Sequence, residues 1–368
     1  MKVLTLVTEA FGGFGGIAKY NQDFLAALAD YPGCEKITVL PRLVRTPDFH
    51  TPARIRIVGE AANKKWRYLL GWLRAIVAGP TCNLVVCGHL NLLPLAFVAS
   101  RRWRVPLVLL IYGIDAWAPT GRRLTDILVR RADYFISISE ITRQKFLAWA
   151  GLDAARGFVL HNAIDINGFG PGPKRPDLLQ RYGLDGKRVL MTLGRLSADE
   201  RYKGVDEVLE AMPEMLRRRS DLAYLVVGSG SDLPRLQRKA RDLGVDRDVV
   251  FAGSVPESEK VDHYRLADVY VMPSSGEGFG FVFLEAMACG IPVVASTRDG
   301  SCEAVRGGEL GAVVDPENRK ELVAAIFDAL GRSRGTVPSG LEFFSYERFR
   351  QRLHGIIDEI TSHRIGAS

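Results

Sequence analysis

Residues 274–292 read Ser-Ser-Gly-Glu-Gly-Phe-Gly-Phe-Val-Phe-Leu-Glu-Ala-Met-Ala-Cys-Gly-Ile-Pro. Apolar residues 269–272 precede this stretch, and a second apolar run, residues 292–295, begins at its last residue. Each run has the length of a buried strand. Between them, three glycines relax a loop, and residues 281–289 have the length of a buried helix. Strand, glycine loop, helix and strand form the repeating unit of a parallel α/β sheet, so this stretch predicts the fold class.

The same alternation runs along the rest of the chain. Residues 2–8 predict a strand, the glycine-rich residues 11–16 a loop, and residues 17–29 a helix, which is how a Rossmann-like unit opens. Further strands are predicted at 37–40, 84–87, 105–111, 134–138, 188–193, 223–227 and 249–252.

The densest Gly/Pro cluster, residues 167–176, lies between the two sets of strands and predicts a linker. We therefore predict two Rossmann-like domains, residues 1–166 and 177–345. Ligands of such sheets bind at the carboxyl ends of the strands, so we expect a ligand cleft between the two domains.

Composition excludes several classes of protein. The chain has 368 residues, of which 47% are hydrophobic, so we expect globular domains and not a disordered chain. No apolar run approaches the ~18 residues of a membrane-spanning helix, and the first residues lack the length of a signal peptide. Five cysteines without a Cys-x-x-Cys pair indicate reduced thiols in the cytoplasm rather than a disulfide framework.

Charge is divided unevenly along the chain, whose net charge is +7. Residues 1–167 carry 21 Lys and Arg against 12 Asp and Glu, whereas residues 168–368 carry 28 against 30. This asymmetry indicates either an anionic partner for the first half or a basic soluble surface. No nucleic-acid-reading motif accompanies the basic residues, so nucleic acid is not an expected partner.

Residues 64–77 combine four cations with Trp66, Tyr68 and Trp72. On a helix, one apolar face is expected from Trp66, Leu69, Leu70, Leu73, Ile76 and Val77. This composition is typical of helices that lie in a membrane interface. It is equally typical of a core helix with basic ends. The membrane interpretation makes the first domain a candidate for peripheral attachment to an anionic surface.

The opening stretch also holds two candidate site carboxylates. Glu277 lies in the glycine loop, and Glu285 lies eight residues further on, inside the predicted helix. Because the two cannot share one helical face, we expect each to contact a different part of one extended ligand. The free backbone N–H groups where the helix starts suit an anion or sugar hydroxyls.

This motif, in its setting of Gly-Glu-Gly-Phe-Gly and Glu-Ala-Met-Ala-Cys-Gly-Ile-Pro, resembles glycosyltransferase family 4. The resemblance covers residues 188–318 and includes Leu193-Gly-Arg-Leu, Arg201-Tyr-Lys-Gly-Val and Val226-Val-Gly-Ser-Gly. Residues 200–207 and 272–274 are similar, more narrowly, to transferases of bacterial exopolysaccharide assembly. The family implies retaining enzymes of the GT-B fold, in which two Rossmann-like domains face each other across a cleft and use nucleotide-sugars.

The resemblance implies a role for each matching residue. Arg195 and Lys203 resemble the pair that clamps the donor diphosphate, and with Glu277 they are the expected catalytic residues. Glu285 resembles the carboxylate that binds the ribose hydroxyls. The remaining donor contacts are implied at the donor sugar (Gly278, Phe279, Gly280, Phe281 and Val282), the nucleobase (Gly230 and Val255) and the phosphates (Gly15 and Gly16).

The first domain, which the family uses for the acceptor, departs from the family pattern at Tyr112, where many members have His. Tyrosine can donate a hydrogen bond through its hydroxyl but offers no imidazole that titrates near pH 7. Asp115 and His89 are further candidates for sugar or acceptor contacts, although a lone His beside leucines is more often structural. The fold also implies that the last helix, about 346–368, packs back on the first domain.

We therefore expect a hexosyltransferase that moves a hexose from a UDP- or GDP-linked sugar to a saccharide acceptor. The acceptor is expected to be lipid-linked, for instance to polyprenyl diphosphate, and the enzyme to act at the cytoplasmic face of a membrane. Asp246-Arg-Asp248 has the spelling of a metal site but lies in a polar loop, so neither metal nor cofactor is expected.

Two alternatives stay open: a catalytically silent nucleotide-sugar-binding protein, and an epimerase or phosphorylase of the same fold. A dehydrogenase is disfavoured because no acidic residue follows the second predicted strand.

Overall fold

The computed structural model describes residues 1–46 and 49–362. The chain divides into two compact units. The first contains Met1–Ala163 together with the last helix, and the second contains Ile164–Ser345. Each unit is an α/β layer structure around its own parallel sheet.

The first unit contains, in its described part, seven parallel strands in the order β3-β2-β1-β4-β5-β6-β7. The strands are β1 (Lys2–Val7), β2 (Lys36–Pro41), β3 (Ile55–Ile57), β4 (Leu84–Gly88), β5 (Leu107–Ile111), β6 (Tyr134–Ser137) and β7 (Gly157–Val159). The helices are α1 (Gly16–Ala29), α2 (Lys65–Val77), α3 (Leu93–Trp103), α4 (Arg123–Val129) and α5 (Glu140–Ala150). The central strands β4 and β5 are apolar and buried along their whole length, as parallel strands covered on both faces must be.

The second unit repeats this plan in its sheet order, β10-β9-β8-β11-β12-β13. Its strands are β8 (Arg188–Leu193), β9 (Leu222–Val227), β10 (Val249–Gly253), β11 (Val269–Val271), β12 (Val293–Ser296) and β13 (Ala312–Val314). Its helices are α6 (Pro176–Tyr182), α7 (Val205–Arg218), α8 (Leu233–Asp242), α9 (Glu257–Leu266), α10 (Phe281–Ala288), α11 (Ser301–Ala304) and α12 (Arg319–Leu330). The first strand lies inside the sheet and the order reverses beside it, which is the doubly wound topology.

The last helix, α13 (Tyr346–Ser362), packs against α1 of the first unit. The rings of Tyr20 and Phe349 meet edge to face with centroids 5.8 Å apart, and the Tyr31 hydroxyl donates to Asp358 at 2.7 Å. The part of the expected last helix at residues 363–368 lies outside the described residues.

The boundary between the units differs from the linker that the sequence predicts at 167–176. It falls at Ala163, and the Gly/Pro segment is part of the second unit. Lys174 forms an ion pair with Asp268 at 2.6 Å, and Arg265 donates to the carbonyl of Gly170 at 3.0 Å. These charged contacts fix a segment whose glycines and prolines alone indicate a flexible connection.

Candidate active site

The glycine loop of residues 274–280 connects β11 to α10 and is held by a hydrogen bond to Asp299. The Glu277 backbone N–H donates to Asp299 Oδ2 at 2.7 Å, and the Ser301 hydroxyl donates to Asp299 Oδ1 at 2.6 Å. Asp299 is fully buried just after β12. Gly280 caps α10 at φ +93°, and a Cβ there would lie 2.7 Å from the Phe283 ring, so the position requires glycine. No side chain caps α10, so its first backbone N–H groups are available to a ligand.

The pKa of Glu277 depends on burial and on the neighbouring charges. Burial raises the pKa of the Glu277 carboxyl above its ordinary value, and the charge of Lys203 acts in the opposite direction. The carboxylates of Asp299 and Glu200 add to the increase. The carboxyl of Glu277 therefore takes up a proton more readily than a solvent-exposed glutamate does.

Arg195 and Lys203, the expected diphosphate clamp, share one carboxylate. Glu200 accepts from Arg195, and Glu200 Oε2 lies 2.7 Å from Lys203 Nζ. Burial acts to raise the pKa of Glu200, but the hydrogen bonds from both cations hold it below its ordinary value overall. The side chain of Arg195 is 72% exposed, whereas that of Lys203 is 16% exposed. Glu200 thus offsets the charge of one of the two cations.

The clamp segment and the glycine loop are joined through Tyr202. The Ser275 N–H donates to the Tyr202 carbonyl at 2.8 Å. A Cβ at Gly276 would lie 2.7 Å from the Tyr202 ring, so the loop lies directly against it. The structure therefore brings Arg195, Lys203 and Glu277 into one electrostatic cluster, at the carboxyl ends of β8 and β11.

Glu285 is buried, with 7% of the residue exposed, and it is not solvated. Its carboxylate accepts from Lys260 Nζ at 2.6 Å and from the Tyr264 hydroxyl at 2.6 Å. Both donors lie on α9, which packs against α10. Burial acts to lower the pKa of Lys260, but its contacts with Glu285 and Glu257 raise that pKa overall, so Lys260 stays protonated. The carboxylate is thereby fixed in position.

The two loops expected at the nucleobase also meet. Ser229 and Ser254 share a hydroxyl hydrogen bond of 2.5 Å, which joins the loop after β9 to the loop after β10. A Cβ at Gly230 would lie 2.1 Å from the Leu196 carbonyl, so no larger residue fits there. Val255 is half-buried beside Ser254.

The corresponding glycine loop of the first unit lies after β1. Gly15 adopts φ +89° and precedes Gly16, the first residue of α1, and no side chain caps this helix. The side chain of Phe14 is 68% exposed in the same loop. Glu9 holds the loop through the Phe14 N–H at 3.4 Å and pairs with Arg45 at 2.8 Å.

Tyr112 differs from the expectation that its hydroxyl is available to a sugar. The ring is buried, and its hydroxyl donates to Asn21 Oδ1 at 2.6 Å. The pKa of Tyr112 is raised by burial and by the neighbouring Tyr20, so the group stays neutral. The physical reason is that Asn21 of α1 lies within hydrogen-bond distance of Tyr112, the residue that follows β5. Tyr112 therefore acts as an internal hydrogen-bond donor in this structure.

Asp115 and His89 lie after β5 and β4. Asp115 has a buried carboxylate oxygen, Oδ2, that finds no hydrogen-bond partner within residues 1–46 and 49–362. Burial raises the pKa of Asp115 to about 6. His89 Nδ1 accepts from the Asn91 N–H at 3.0 Å and caps a short 3-10 turn, and burial together with Arg122 lowers its pKa. His89 therefore caps this turn through Nδ1, whereas Asp115 has unused hydrogen-bonding capacity.

No cluster of three or more His, Cys, Asp or Glu residues suited to a metal ion occurs in the described part of the chain. In the Asp246-Arg-Asp248 loop, Asp248 pairs with Lys187 at 3.1 Å. Among the described helices, none is long and apolar enough to cross a membrane.

Sequence reasoning missed three kinds of partner: Glu200 between the cations, Asp299 under the loop, and the α9 pair that holds Glu285. Asp299 had a usable signal, since a polar residue directly after a buried parallel strand lies at the ligand-binding edge. The others depend on contacts between segments, which spacing does not reveal.

Two doubly wound sheets with glycine loops at the carboxyl ends of their strands define the GT-B class of glycosyltransferase folds, and solved structures agree. HepE from Anabaena in complex with UDP superposes with a TM-score of 0.76 at 21% identity, over 98% of this chain and 100% of that one. Sucrose-phosphate synthase from Thermosynechococcus elongatus superposes with a TM-score of 0.78 at 18% identity, over 98% and 99%. At such identities the likeness concerns the fold alone.

The chain belongs to the glycosyltransferases, because a family model matches each unit. The model of Glycosyltransferase Family 4 matches residues 14–167, and the model of Glycosyl transferases group 1 matches residues 187–332. These two segments together make up most of the sequence.

Characterised relatives match part of the chain. A GDP-mannose-dependent alpha-(1-6)-phosphatidylinositol monomannoside mannosyltransferase from Mycolicibacterium smegmatis is 37% identical over 231 residues, which is 61% of this chain and 59% of that protein. A D-inositol 3-phosphate glycosyltransferase from Nocardiopsis dassonvillei is 34% identical over 284 residues, or 70% and 65%. The chain thus spans less than two thirds of the length of these relatives.

Proposed function

We propose that this protein is a retaining hexosyltransferase that moves a sugar from a nucleoside diphosphate to a lipid-linked saccharide. The observation that carries the proposal is the pair of cations, Arg195 and Lys203, fixed on Glu200 beside the Glu277 loop. A departing nucleoside diphosphate develops negative charge, and preorganised cations stabilise that charge in the transition state. Glu200 holds both cations in place before the donor arrives.

The other donor contacts follow from the same unit. Glu285, held by Lys260 and Tyr264, presents a fixed carboxylate to the ribose hydroxyls of the donor. The uncapped start of α10 offers N–H groups to the sugar or its phosphate. We assign front-face substitution, in which the leaving phosphate takes the acceptor proton and Arg195 and Lys203 hold the diphosphate, and we assign no metal to the reaction.

The donor and acceptor are suggested by the relatives. GDP-mannose is the first donor to test, because the M. smegmatis relative is named for it. The same name supports an acceptor on an inositol phospholipid, and a polyprenyl-diphosphate-linked sugar is the second acceptor class. The narrower link to exopolysaccharide assembly rests on residues 200–207 and 272–274 alone.

Attachment to a membrane surface is supported by α2. Its buried face consists of Tyr68, Trp72 and Ile76. A second apolar stripe is exposed on the same helix: Trp66, Leu69, Leu70, Leu73 and Val77. Sequence grouping placed Ile76 in this stripe, but the residue packs in the core. Exposed aromatic and aliphatic side chains flanked by cations suit an interfacial helix at the cytoplasmic leaflet.

Vesicle flotation tests this attachment. We expect the protein to float with vesicles that contain anionic lipid, and less so as salt increases, because surface charges are screened over ~10 Å at 0.1 M. Replacing Lys64, Lys65 and Arg67 with Glu should release the protein, since each cation near the surface contributes roughly 1 kcal/mol. Arg217→Glu, Arg218→Glu and Lys187→Glu give the same charge change in the second unit and should not. Wild-type protein that stays in the soluble fraction at low salt contradicts the attachment.

Transfer itself is tested by nucleoside diphosphate release. The purified chain is incubated with GDP-mannose or UDP-glucose, with and without phosphatidylinositol monomannoside in mixed micelles. We expect release that depends on the acceptor and on Lys203. Release or donor conversion without acceptor favours an epimerase or phosphorylase. Thermal stabilisation by the donor without release with any acceptor favours a silent binding protein.

A further inference from the structure

A cavity of about 530 Å³ lies in the first unit, lined by residues of β1, β2, β3 and α2. Its volume is in the range of ligand pockets, about 300–1,000 Å³. It includes Leu4 and Lys36, near the amino ends of their strands, and Cys82, just before β4. Tyr112, Asp115 and His89 follow the carboxyl ends of their strands and do not line it.

One wall of the cavity is apolar and aromatic. Trp66 and Leu70 of α2 line it, together with Trp103 from the end of α3. Leu4 and Cys82 are buried and close its interior. Trp66 and Leu70 are 58% and 44% exposed and also belong to the exposed stripe of α2. The apolar wall is thus continuous with the proposed membrane-facing surface.

The lining of the cavity also carries positive charge. Lys36, Arg56, Arg67 and Arg74 line the cavity against a single carboxylate, Glu60. None of these four cations forms an ion pair with any residue that the structure describes. Arg67 lies over the Trp66 ring at 5.2 Å. Four cations around one carboxylate create a positive potential, and arginine in particular suits phosphate.

We propose that this cavity binds one anionic phospholipid molecule. The headgroup phosphate lies on the cations, and an acyl chain lies along the wall of Trp66, Leu70 and Trp103. A free phosphate compound would use only the cations, and a neutral amphiphile only the apolar wall. The combination of both on one cavity, continuous with the stripe of α2, is what selects an anionic lipid.

The test uses a lipid that forms no membrane surface. Dihexanoyl phosphatidylglycerol is titrated below its critical micelle concentration into the full chain, and heat is measured by calorimetry. We expect saturable binding of one molecule. The double variant Arg56→Glu/Arg74→Glu should bind at least about tenfold more weakly, because charge-assisted contacts to phosphate are lost. Arg130→Glu/Arg131→Glu makes the same charge change at exposed residues of the first unit, does not line the cavity, and should bind as wild type does.

Three outcomes overturn the proposal. Equal weakening in both double variants indicates diffuse electrostatics. Equal binding of dihexanoyl phosphatidylcholine shows that the cations play no part, and equal binding of glycerol 3-phosphate shows that no acyl chain is bound. Arg56 and Arg74 are exposed, and the single change Arg74→Glu serves if the double variant fails to fold. No nucleotide-sugar is present, so a protein without transferase activity can still bind the lipid.

Discussion

Charged groups are partnered differently in the two units. In the second unit, Arg195 and Lys203 share Glu200. In the first, a buried oxygen of Asp115 has no partner among the described residues, and the four cavity cations make no ion pair there. The comparison teaches that the candidate donor site is preorganised by its own side chains. The first unit instead keeps these cations without an ion pair, and the Asp115 oxygen without a hydrogen-bond partner, among the described residues.

The largest effect is expected from removing the paired cations. Lys203→Ala and Arg195→Ala should each lower kcat by ~10²–10³ with folding intact, since each removes a charge aimed at the leaving diphosphate. Glu200→Gln should lower kcat less, because both cations remain. Initial rates at saturating donor measure these effects.

Lys187→Ala is the matched control, because Lys187 pairs with Asp248 outside the cluster. It should leave kcat unchanged. Near-normal kcat in both clamp variants would remove the main support for the proposed reaction.

The second prediction concerns Asp115, whose buried carboxylate oxygen has no hydrogen-bond partner among the described residues. Burial raises the pKa of Asp115 from the ordinary aspartate value of 3.8 to about 6. As pH increases between these values, the unfolded chain loses the proton first, so the free energy of unfolding of the wild type should fall. Asp115→Asn cannot ionise and should gain stability relative to wild type over this window, by at most about 3 kcal/mol.

Urea unfolding at pH 4, 5, 6 and 7 measures this difference. Asp30→Asn is the same change at an exposed residue and should give a nearly constant difference. If the Asp115→Asn difference is also constant with pH, Asp115 is paired or solvated in solution and the comparison fails for this residue.

A smaller effect on activity is expected from removing one of the two hydrogen-bond donors to Glu285. Tyr264→Phe removes one of them and leaves Lys260, so KM for the donor should increase roughly fivefold with little change in kcat, as for one hydrogen bond. Tyr182→Phe, whose hydroxyl instead meets His263 at 3.0 Å, is the control and should change neither. A fall in kcat without a change in KM contradicts a positioning role.

No effect at all is expected from a chelator. The cations of the clamp supply the charge that a metal would otherwise supply, so turnover should persist in EDTA. Loss of activity that Mn²⁺ or Mg²⁺ restores would show that the paired cations are insufficient.

The sequence predicts the central strands well because apolar runs of strand length are visible in any window. It misses β3, β7 and β13, each of three residues at a sheet edge. Such strands are too short for a periodic pattern and are defined by pairing with a neighbour. The GT-B fold and the glycosyltransferase family were predicted correctly, and of the four edge strands in the described sheets only β10 was predicted.

At the site, the same limit applies to side chains. Glu277 and Glu285 stand out because the loop and helix around them are continuous in sequence. Asp299, 22 residues from Glu277, contributes only through the folded loop. The role of Tyr112 depends on Asn21, 91 residues away, so no local pattern indicates that its hydroxyl is already bonded.

The pairing of α13 with α1 has a consequence for synthesis on the ribosome. The first unit is synthesised first but lacks one covering helix until residues 164–345 have been translated, which takes on the order of 10–40 s at ~5–20 residues per second. During this interval the surface that receives Phe349, Leu353 and Ile357 is open, and it is apolar. The surface that α13 covers therefore stays exposed on the nascent chain until α13 itself has been translated.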